Sequence, residues 1–355
     1  MSDQHDARHR PLPSDPTAAD PDSVPTAGPD VGAAGAPATP RPEYRKVGVI
    51  GAGAVCTSVC FSALMSGVAD EVALYDVNEP KVRAEVLDLA HGTAFTAAHT
   101  MTGGADPAVI ADSSVVVITA GAKQKPGQSR LELAEANVRI LRSLIPTVQE
   151  HAPDALLVLV TNPVDVLTLV AQRISGLPAG RVIGSGTLLD TARLRWLLAS
   201  RVGVHPRSVH AAVLGEHGDT EFPAWSTASV GPVPLLRWPS AAAPQFTRPD
   251  LDAIADSVMN AAYEVIQGKG ATNHAIGVAT NRLLEAVFRD ERTVLPVSTV
   301  LDGEHGLTDV ALSLPSVVGR QGVLQVLETD LDAGEVRRLQ ASARALRESA
   351  ASLGF

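Results

Sequence analysis

Three residues in the second half of the chain have side chains that could assist the reduction of a carbonyl group that lies beside a carboxylate. His217 lies in the glycine-flanked segment Leu214–Asp219, and its imidazole can exchange a proton near neutral pH. Asp190 could orient that ring and favour its charged form. Arg193 follows three residues later, and its planar guanidinium can bind a carboxylate through two parallel hydrogen bonds. These residue types predict a proton donor and a clamp for a 2-oxo acid.

Further polar residues could complete such a site. The segment Gly121–Arg130 contains proline and glycine between an apolar run and a helical stretch, which predicts a mobile loop. Arg130 could then polarise the substrate carbonyl while the closing loop excludes water. Asn162 follows another apolar run, at the carboxyl end of a strand, where ligands bind in open α/β sheets. Asn162 could donate to the substrate oxygen, and Thr272 is expected to border the pocket.

Each of these residues has a simpler explanation when it is taken alone. Asp190 could cap the following helix, Arg193 could form a surface ion pair and His217 could be an ordinary loop histidine. The chemical interpretation is preferred because the residues occur together, at loop positions, and after a sequence that predicts dinucleotide binding.

That sequence is the glycine-rich turn Gly51–Cys56, which follows the apolar run Lys46–Ile50 and opens a helical stretch. Glycines at 51 and 53 allow a tight turn and close approach of a pyrophosphate to the backbone. The third position, usually glycine, is Cys56, a small residue that the site is expected to tolerate. Asp76 ends the next apolar run and could bind ribose hydroxyls, while its charge would repel a 2′-phosphate. NAD is therefore expected rather than NADP, although an ordinary strand–helix turn would also explain the glycines alone.

The elements that must position these residues alternate along the first half of the chain. Short apolar runs separated by helical stretches predict a doubly wound parallel α/β sheet of the Rossmann type. The runs are Lys46–Ile50, Glu71–Tyr75, Val115–Thr119 and Leu156–Val160, and the helical stretches are Ala54–Ser66, Pro80–Phe95 and Leu131–Gln149. The second half mixes helical stretches with strand-like ones near residues 292–301 and 310–318, which predicts an α+β catalytic domain.

The composition of the chain limits the classes of protein to which it can belong. The chain has 355 residues with 29 Lys+Arg against 39 Asp+Glu, a net charge of −10, so a nucleic-acid partner is not expected. No apolar run approaches the length of a membrane span and the N-terminus lacks a secretory pattern, so a cytoplasmic protein is expected. Two cysteines cannot build a disulfide framework or a four-cysteine zinc site, and no metal is expected.

Nine of 25 prolines lie in residues 1–45, which predicts a disordered tail before domains at 46–184 and 185–355.

Taken together, the glycine turn and the segments Gly121–Arg130, Val160–Asp165, Gly184–Arg193 and Leu214–Asp219 resemble the L-lactate/malate dehydrogenase family. The resemblance runs from about Lys46 to the C-terminus. It implies NAD as cofactor, reversible hydride transfer between NADH and a 2-oxo acid, and the roles considered above for Arg130, Asn162, Asp190, Arg193, His217 and Thr272. It also implies cofactor contacts from Gly51, Gly53, Val55, Asp76, Lys81, Gly121, Ala122, Ser143, Val160 and Asn162.

Gln124 bears on the choice of substrate. The resemblance implies that this loop position is arginine in family members that use oxaloacetate and neutral in those that use pyruvate. A neutral glutamine would leave the second carboxylate of oxaloacetate unpaired in a closing site. We therefore expect pyruvate and lactate as substrates, in the final step of lactate fermentation. The alternatives are a malate or bulkier 2-hydroxyacid dehydrogenase and a non-catalytic NAD-binding protein.

Arg195 and His210 match positions that line a fructose 1,6-bisphosphate site at a subunit interface in bacterial members of the family. The resemblance thus implies an allosteric homotetramer activated by this bisphosphate in glycolysis. Two exposed basic residues without an effector would explain the same pair equally well.

Overall fold

The computed structural model describes residues 44–97, 100–122, 130–238 and 246–355, with the backbone but not the side chain of Arg130. Gln124, the Arg130 side chain and almost all of the predicted tail therefore lie outside the described residues. The strands are β1 (Lys46–Ile50), β2 (Glu71–Tyr75), β3 (Thr100–Gly104), β4 (Val115–Ile118), β5 (Leu156–Leu159), β6 (Val182–Gly184), β7 (Val209–His210), β8 (Val213–Leu214), β9 (Phe222–Pro223), β10 (Ser229–Val230), β11 (Val233–Pro234), β12 (Thr293–Asp302), β13 (Thr308–Gly319) and β14 (Gly322–Val326). The helices are α1 (Ala54–Ser66), α2 (Glu79–Gly92), α3 (Arg130–His151), α4 (Val164–Ser175), α5 (Leu188–Val202), α6 (Arg248–Lys269), α7 (His274–Phe288) and α8 (Ala333–Ser352).

One nine-stranded sheet forms the centre of the fold, in the order β14-β13-β12-β6-β5-β4-β1-β2-β3. The six strands β1 to β6 are parallel and follow the order 3-2-1-4-5-6, which is that of the Rossmann fold. The predicted fold class is confirmed. The order reverses between β1 and β4, so the carboxyl ends of these two strands flank a crevice where ligands bind.

The apolar runs form the central strands because both faces of the sheet are covered. Every residue of β4 and β5 is buried, as expected for parallel strands between two helical layers. Helices α3, α4 and α8 contribute to the hydrophobic cluster on one face, and α1 and α7 to that on the other. A third cluster joins α5 and α6 to β7 and β10, and it supports the part of the chain that carries Asp190 and His217.

The second half adds strands to this same sheet. β12 pairs with β6 in antiparallel register, with Ser298 opposite Gly184, and β13 and β14 continue outward. The sheet is therefore continuous across residue 184, while the division into two domains there stays a prediction. In the described part of the chain, no helix combines the length and the apolar character needed to cross a membrane.

Candidate active site

Two neighbouring cavities lie at the carboxyl ends of the parallel strands. The glycine-loop cavity, of about 850 Å³, follows the ends of β1, β2, β4 and β5 and is lined by Gly51, Asp76, Gly121 and Asn162 among others. The histidine cavity, of about 510 Å³, is lined by Asp190, Arg193 and His217, with residues of α3, α6 and α8. Both cavities include Leu133 and Asn162 in their walls, so the two cavities adjoin each other.

The glycine turn shapes one end of the glycine-loop cavity. Gly51 has a φ of +107°, and a side chain there would lie 3.0 Å from the backbone nitrogen of Ala120, so only glycine fits without strain. Gly53 caps α1 and has open space where a side chain would be, which leaves room for a phosphate at the helix N-terminus. Cys56 is fully buried in α1, and burial raises its pKa. The thiol is thus a core group behind the turn.

Asp76 lies where β2 leaves the sheet. One of its carboxylate oxygens accepts a hydrogen bond from the Ala52 N–H at 2.6 Å, and the other accepts one from the Asn78 N–H at 2.8 Å. All ten residues assigned to the cofactor from the sequence line this cavity: Gly51, Gly53, Val55, Asp76, Lys81, Gly121, Ala122, Ser143, Val160 and Asn162. Open amides at a helix start and a carboxylate beside them suit a dinucleotide whose ribose hydroxyls are free.

The other end of this cavity is held by a residue that the sequence did not single out. Asn137, buried in α3, accepts a hydrogen bond from the Ala122 N–H at 2.7 Å and donates one to the Asn162 carbonyl at 2.8 Å. It thereby joins the segments that follow β4 and β5. Thr272, expected at the substrate, lines the glycine-loop cavity and is not among the described residues that line the histidine cavity.

A short chain of charges forms the centre of the histidine cavity. His217 Nδ1 lies 2.6 Å from Asp190 Oδ2, and Arg193 lies 2.5 Å from the other oxygen of the same carboxylate. Asp190 is 1% exposed and belongs to the first turn of α5, where Thr187 occupies the cap position. Asp190 is therefore not the helix cap, and residues three apart on one helix face can meet. Because Nδ1 is held by Asp190, Nε2 is the ring nitrogen left for a substrate.

The loop that carries His217 is also held through its backbone. The His217 N–H donates to Asp165 Oδ2 at 2.7 Å, and the Glu216 N–H donates to Ser342 Oγ, also at 2.7 Å. Asp165 and Ser342 are both buried and come from α4 and α8. The helices on one face of the sheet thus fix the position of the imidazole.

Three carboxyl groups surround this imidazole and change its protonation. Burial disfavours the charged ring, but the charges of Asp190, Asp165 and Glu221 outweigh it and raise the pKa of His217 to about 9. The ring is therefore protonated at neutral pH. Burial raises the pKa of Asp165 to about 6. Burial and the nearby Asp190 charge raise the pKa of Glu221 to about 8.

Asp165 and Glu221 are polar groups that the sequence did not identify as functional, because nothing in the spacing of a carboxyl residue reports how deeply it is buried. The histidine cavity also takes in Tyr263 and Ile266 of α6 and Ser349 and Ser352 of α8. These residues lie far from the motifs in sequence and reach the cavity only through the tertiary fold.

Arg195 and His210 lie outside both cavities. Arg195 points from α5 toward β7 and donates from Nε to the Ala211 carbonyl at 2.9 Å. Burial lowers its pKa. His210 is exposed on β7, one residue before Ala211, so the Arg195 side chain is bonded to the backbone next to His210.

Comparison with known proteins gives consistent matches over residues 45–184 and 187–353. Residues 45–184 match the family described as lactate/malate dehydrogenase, NAD binding domain, and residues 187–353 match its alpha/beta C-terminal domain. The L-lactate dehydrogenase of Bifidobacterium animalis subsp. lactis is 47% identical over 313 residues, covering 87% of this chain and 97% of that protein. An L-lactate dehydrogenase of Synechococcus sp. is 46% identical over 303 residues, covering 85% and 97%.

Comparison with solved structures agrees with these sequence matches. The minor L-lactate dehydrogenase from Enterococcus mundtii, in its ligands-bound form, superposes with a TM-score of 0.84 at 39% identity, covering 88% of this chain and 99% of that one. Both halves of the chain, the sheet order and the residues at the two cavities lead to the same conclusion: the chain belongs to the lactate/malate dehydrogenase family.

Proposed function

We propose that the protein reduces pyruvate to L-lactate with NADH, in a reversible reaction. The observation that carries this proposal is the contact of His217 and Arg193 with one buried carboxylate, Asp190, in the histidine cavity, which adjoins the glycine-loop cavity. This arrangement supports a proton donor and an anion clamp that would lie beside bound NADH. The relatives named above, all L-lactate dehydrogenases, support this assignment.

Each group has a defined part in this proposal. NADH held in the glycine-loop cavity, by residues such as Gly51, Gly53 and Asp76, would supply a hydride to the carbonyl carbon of pyruvate. Arg193 binds the substrate carboxylate, and the protonated His217 donates its Nε2 proton to the carbonyl oxygen, which becomes the lactate hydroxyl. Asp190 keeps the ring oriented and stabilises its charge. Asn162 donates to the same oxygen, and Arg130 polarises the carbonyl.

The assay that tests the activity is NADH oxidation followed by absorbance with pyruvate and, separately, with oxaloacetate. We expect pyruvate to be preferred, since Gln124 offers no charge for a second carboxylate. Preference for oxaloacetate would make the protein a malate dehydrogenase, and oxidation of neither would favour a bulkier substrate or a non-catalytic NAD-binding protein.

Substrate choice has its own test in Gln124→Arg. The new guanidinium would pair with the second carboxylate of oxaloacetate, so the ratio of kcat/KM values should move toward oxaloacetate by about tenfold or more. The same substrate ratio in the variant and the wild type would contradict the assigned role of Gln124.

We further propose that Arg195 and His210 bind fructose 1,6-bisphosphate between subunits of a homotetramer. Their support is the hydrogen bond that joins Arg195 to the backbone next to the exposed His210, away from both cavities. Such an enzyme would act in the cytoplasm, where it would return NADH formed in sugar breakdown to NAD.

A further inference from the structure

Glu221 is a buried carboxyl group for which the proposed reaction has no use. It is 7% exposed, and one of its oxygens lies within 4.8 Å of ligand atoms of both Asp190 and His217. It lines the wall of the histidine cavity together with Arg193. The position is therefore close enough to act on the charges that would bind and protonate a substrate.

The charges around Glu221 come from every element that packs against it. They are Asp190 and Arg193 of α5, Glu216, His217 and Asp219 of the loop, Arg248, Asp252 and Asp256 of α6, and Arg338 of α8. Among the described charged and titratable residues, those of α5 and the loop, with Tyr263 of α6, share the histidine cavity with it. The charged groups of α6 and α8 named above lie around a separate cavity of about 300 Å³, and Glu221 and Met259 line both cavities.

The charge balance of the histidine cavity depends on the state of this carboxyl group. Ionisation of Glu221 adds one negative charge to a cavity in which Arg193 and the protonated His217 offer positive charge to an anion. Coulomb repulsion from that added charge acts on any carboxylate bound at Arg193. Burial holds Glu221 in its neutral form at neutral pH.

We propose that Glu221 controls the binding of the anionic substrate: its neutral form permits a 2-oxo acid carboxylate on Arg193, and its ionised form opposes that binding. This inference rests on the proposed function, because it takes the histidine cavity to be the substrate site. Glu221 would then be a second proton-binding group, distinct from His217, that must hold its proton when the substrate binds.

The test is the number of protons taken up when oxamate, a non-reducible analogue of pyruvate, binds to the enzyme–NADH complex. The measurement is calorimetry in buffers of different ionisation enthalpy between pH 7 and pH 9. In Glu221→Gln the side chain keeps an oxygen that can accept a hydrogen bond from the Gly218 N–H, and it cannot ionise. We expect the variant to take up fewer protons than the wild type, by up to about one at the alkaline end.

The same effect should be visible in affinity. The ratio of the oxamate Kd at pH 9 to that at pH 7 should be up to roughly tenfold smaller in Glu221→Gln than in the wild type, because one titrating group is removed. Glu264→Gln, on the exposed surface of α6, is the matched control. Glu221→Met, similar in length and also uncharged, must reproduce the result if the glutamine variant folds poorly.

The outcomes separate the two proposals. The role of Glu221 is overturned if both Glu221 variants take up as many protons as the wild type and show the same Kd ratio. That result would leave pyruvate reduction standing. A wild-type protein that neither reduces pyruvate nor binds oxamate would overturn both.

Discussion

His217 is held both through its ring and through its backbone. Its ring contacts Asp190, its backbone contacts Asp165, and its pKa is raised to about 9 by the charges around it. The protonated form therefore predominates at neutral pH, which suits reduction of a carbonyl. In the reverse direction the neutral ring must accept a proton, so oxidation of lactate is expected to speed up toward alkaline pH.

Replacement of this side chain tests the proton-donor role. We expect His217→Ala to lower kcat for pyruvate by about 10²–10⁴-fold, because the proton must then come from water. NADH should still bind, since the glycine-loop cavity does not include this residue. Stopped-flow turnover and NADH fluorescence would measure the two properties, and a variant with wild-type kcat would exclude the assignment.

Asp165 makes a prediction about stability. Burial raises its pKa in the folded protein to about 6 from 3.8, so the folded state binds this proton more tightly than the unfolded state. The stabilisation from that proton is complete below the unfolded value and is lost as pH rises through 6. In Asp165→Asn this loss is absent.

The free energy of unfolding of Asp165→Asn, relative to the wild type, should therefore rise by roughly 2 kcal/mol between about pH 4.5 and pH 7.5. Urea unfolding of the NAD-free protein at both pH values measures it, beside Asp88→Asn on the exposed surface of α2 as a control. A constant difference across this range would mean that Asp165 ionises alike in the folded and unfolded chain.

At the scale of elements, the contact between α1 and α7 matters most for the cofactor. A side chain at Gly277 would lie 2.7 Å from the backbone of Ser58, so glycine sets how closely the two helices approach. The same pair is tied by hydrogen bonds from Asn273 to Ser58 at 3.0 Å and from Ser66 to Asn281 at 2.9 Å. Because α1 begins at the glycine turn, its position decides where a phosphate can bind.

We expect Gly277→Ala to destabilise the protein by roughly 1–3 kcal/mol, since backbone atoms of α1 must shift. NADH affinity should fall with it. Gly268→Ala, in α6, adds the same methyl group where no atom lies within 4 Å and should be neutral or stabilising. Thermal unfolding and NADH titration of both variants check this, and equal behaviour would show that the helix contact adapts freely.

Elements could be predicted where the pattern of apolar residues matched their burial. The patterns for β1, β2 and α1 end at the residues where the structure ends them. No pattern indicated β3 or β14, because both lie at sheet edges and carry few buried side chains. α4 was also not among the predicted helices, and its first eight residues are all buried in the structure.

A similar limit applies to predicting the residues of the site from the sequence. Asp190, Arg193 and His217 were recognisable by residue type and by the motifs around them. Asn137, Asp165 and Glu221 were not, because their roles arise from which helices cover them after folding.

At the scale of the whole molecule, the proposed effector site connects subunits. We expect Arg195→Gln to abolish activation by fructose 1,6-bisphosphate while activity without the effector is retained, because Arg195 touches neither cavity. Activity titrations with the bisphosphate, with light scattering to give the subunit number, measure both properties. Activation of the variant equal to that of the wild type would place the effector elsewhere.

The continuous sheet has a consequence for how this protein can be divided. Ser298 of β12 pairs with Gly184 of β6, so a fragment cut after residue 184 would leave β6 as a bare edge strand. All three residues of that strand are buried in the intact chain, and an uncovered apolar edge promotes aggregation. Grafting the NAD-binding half onto another partner would therefore require a replacement strand beside β6, and a flexible linker alone would not keep the fragment in solution.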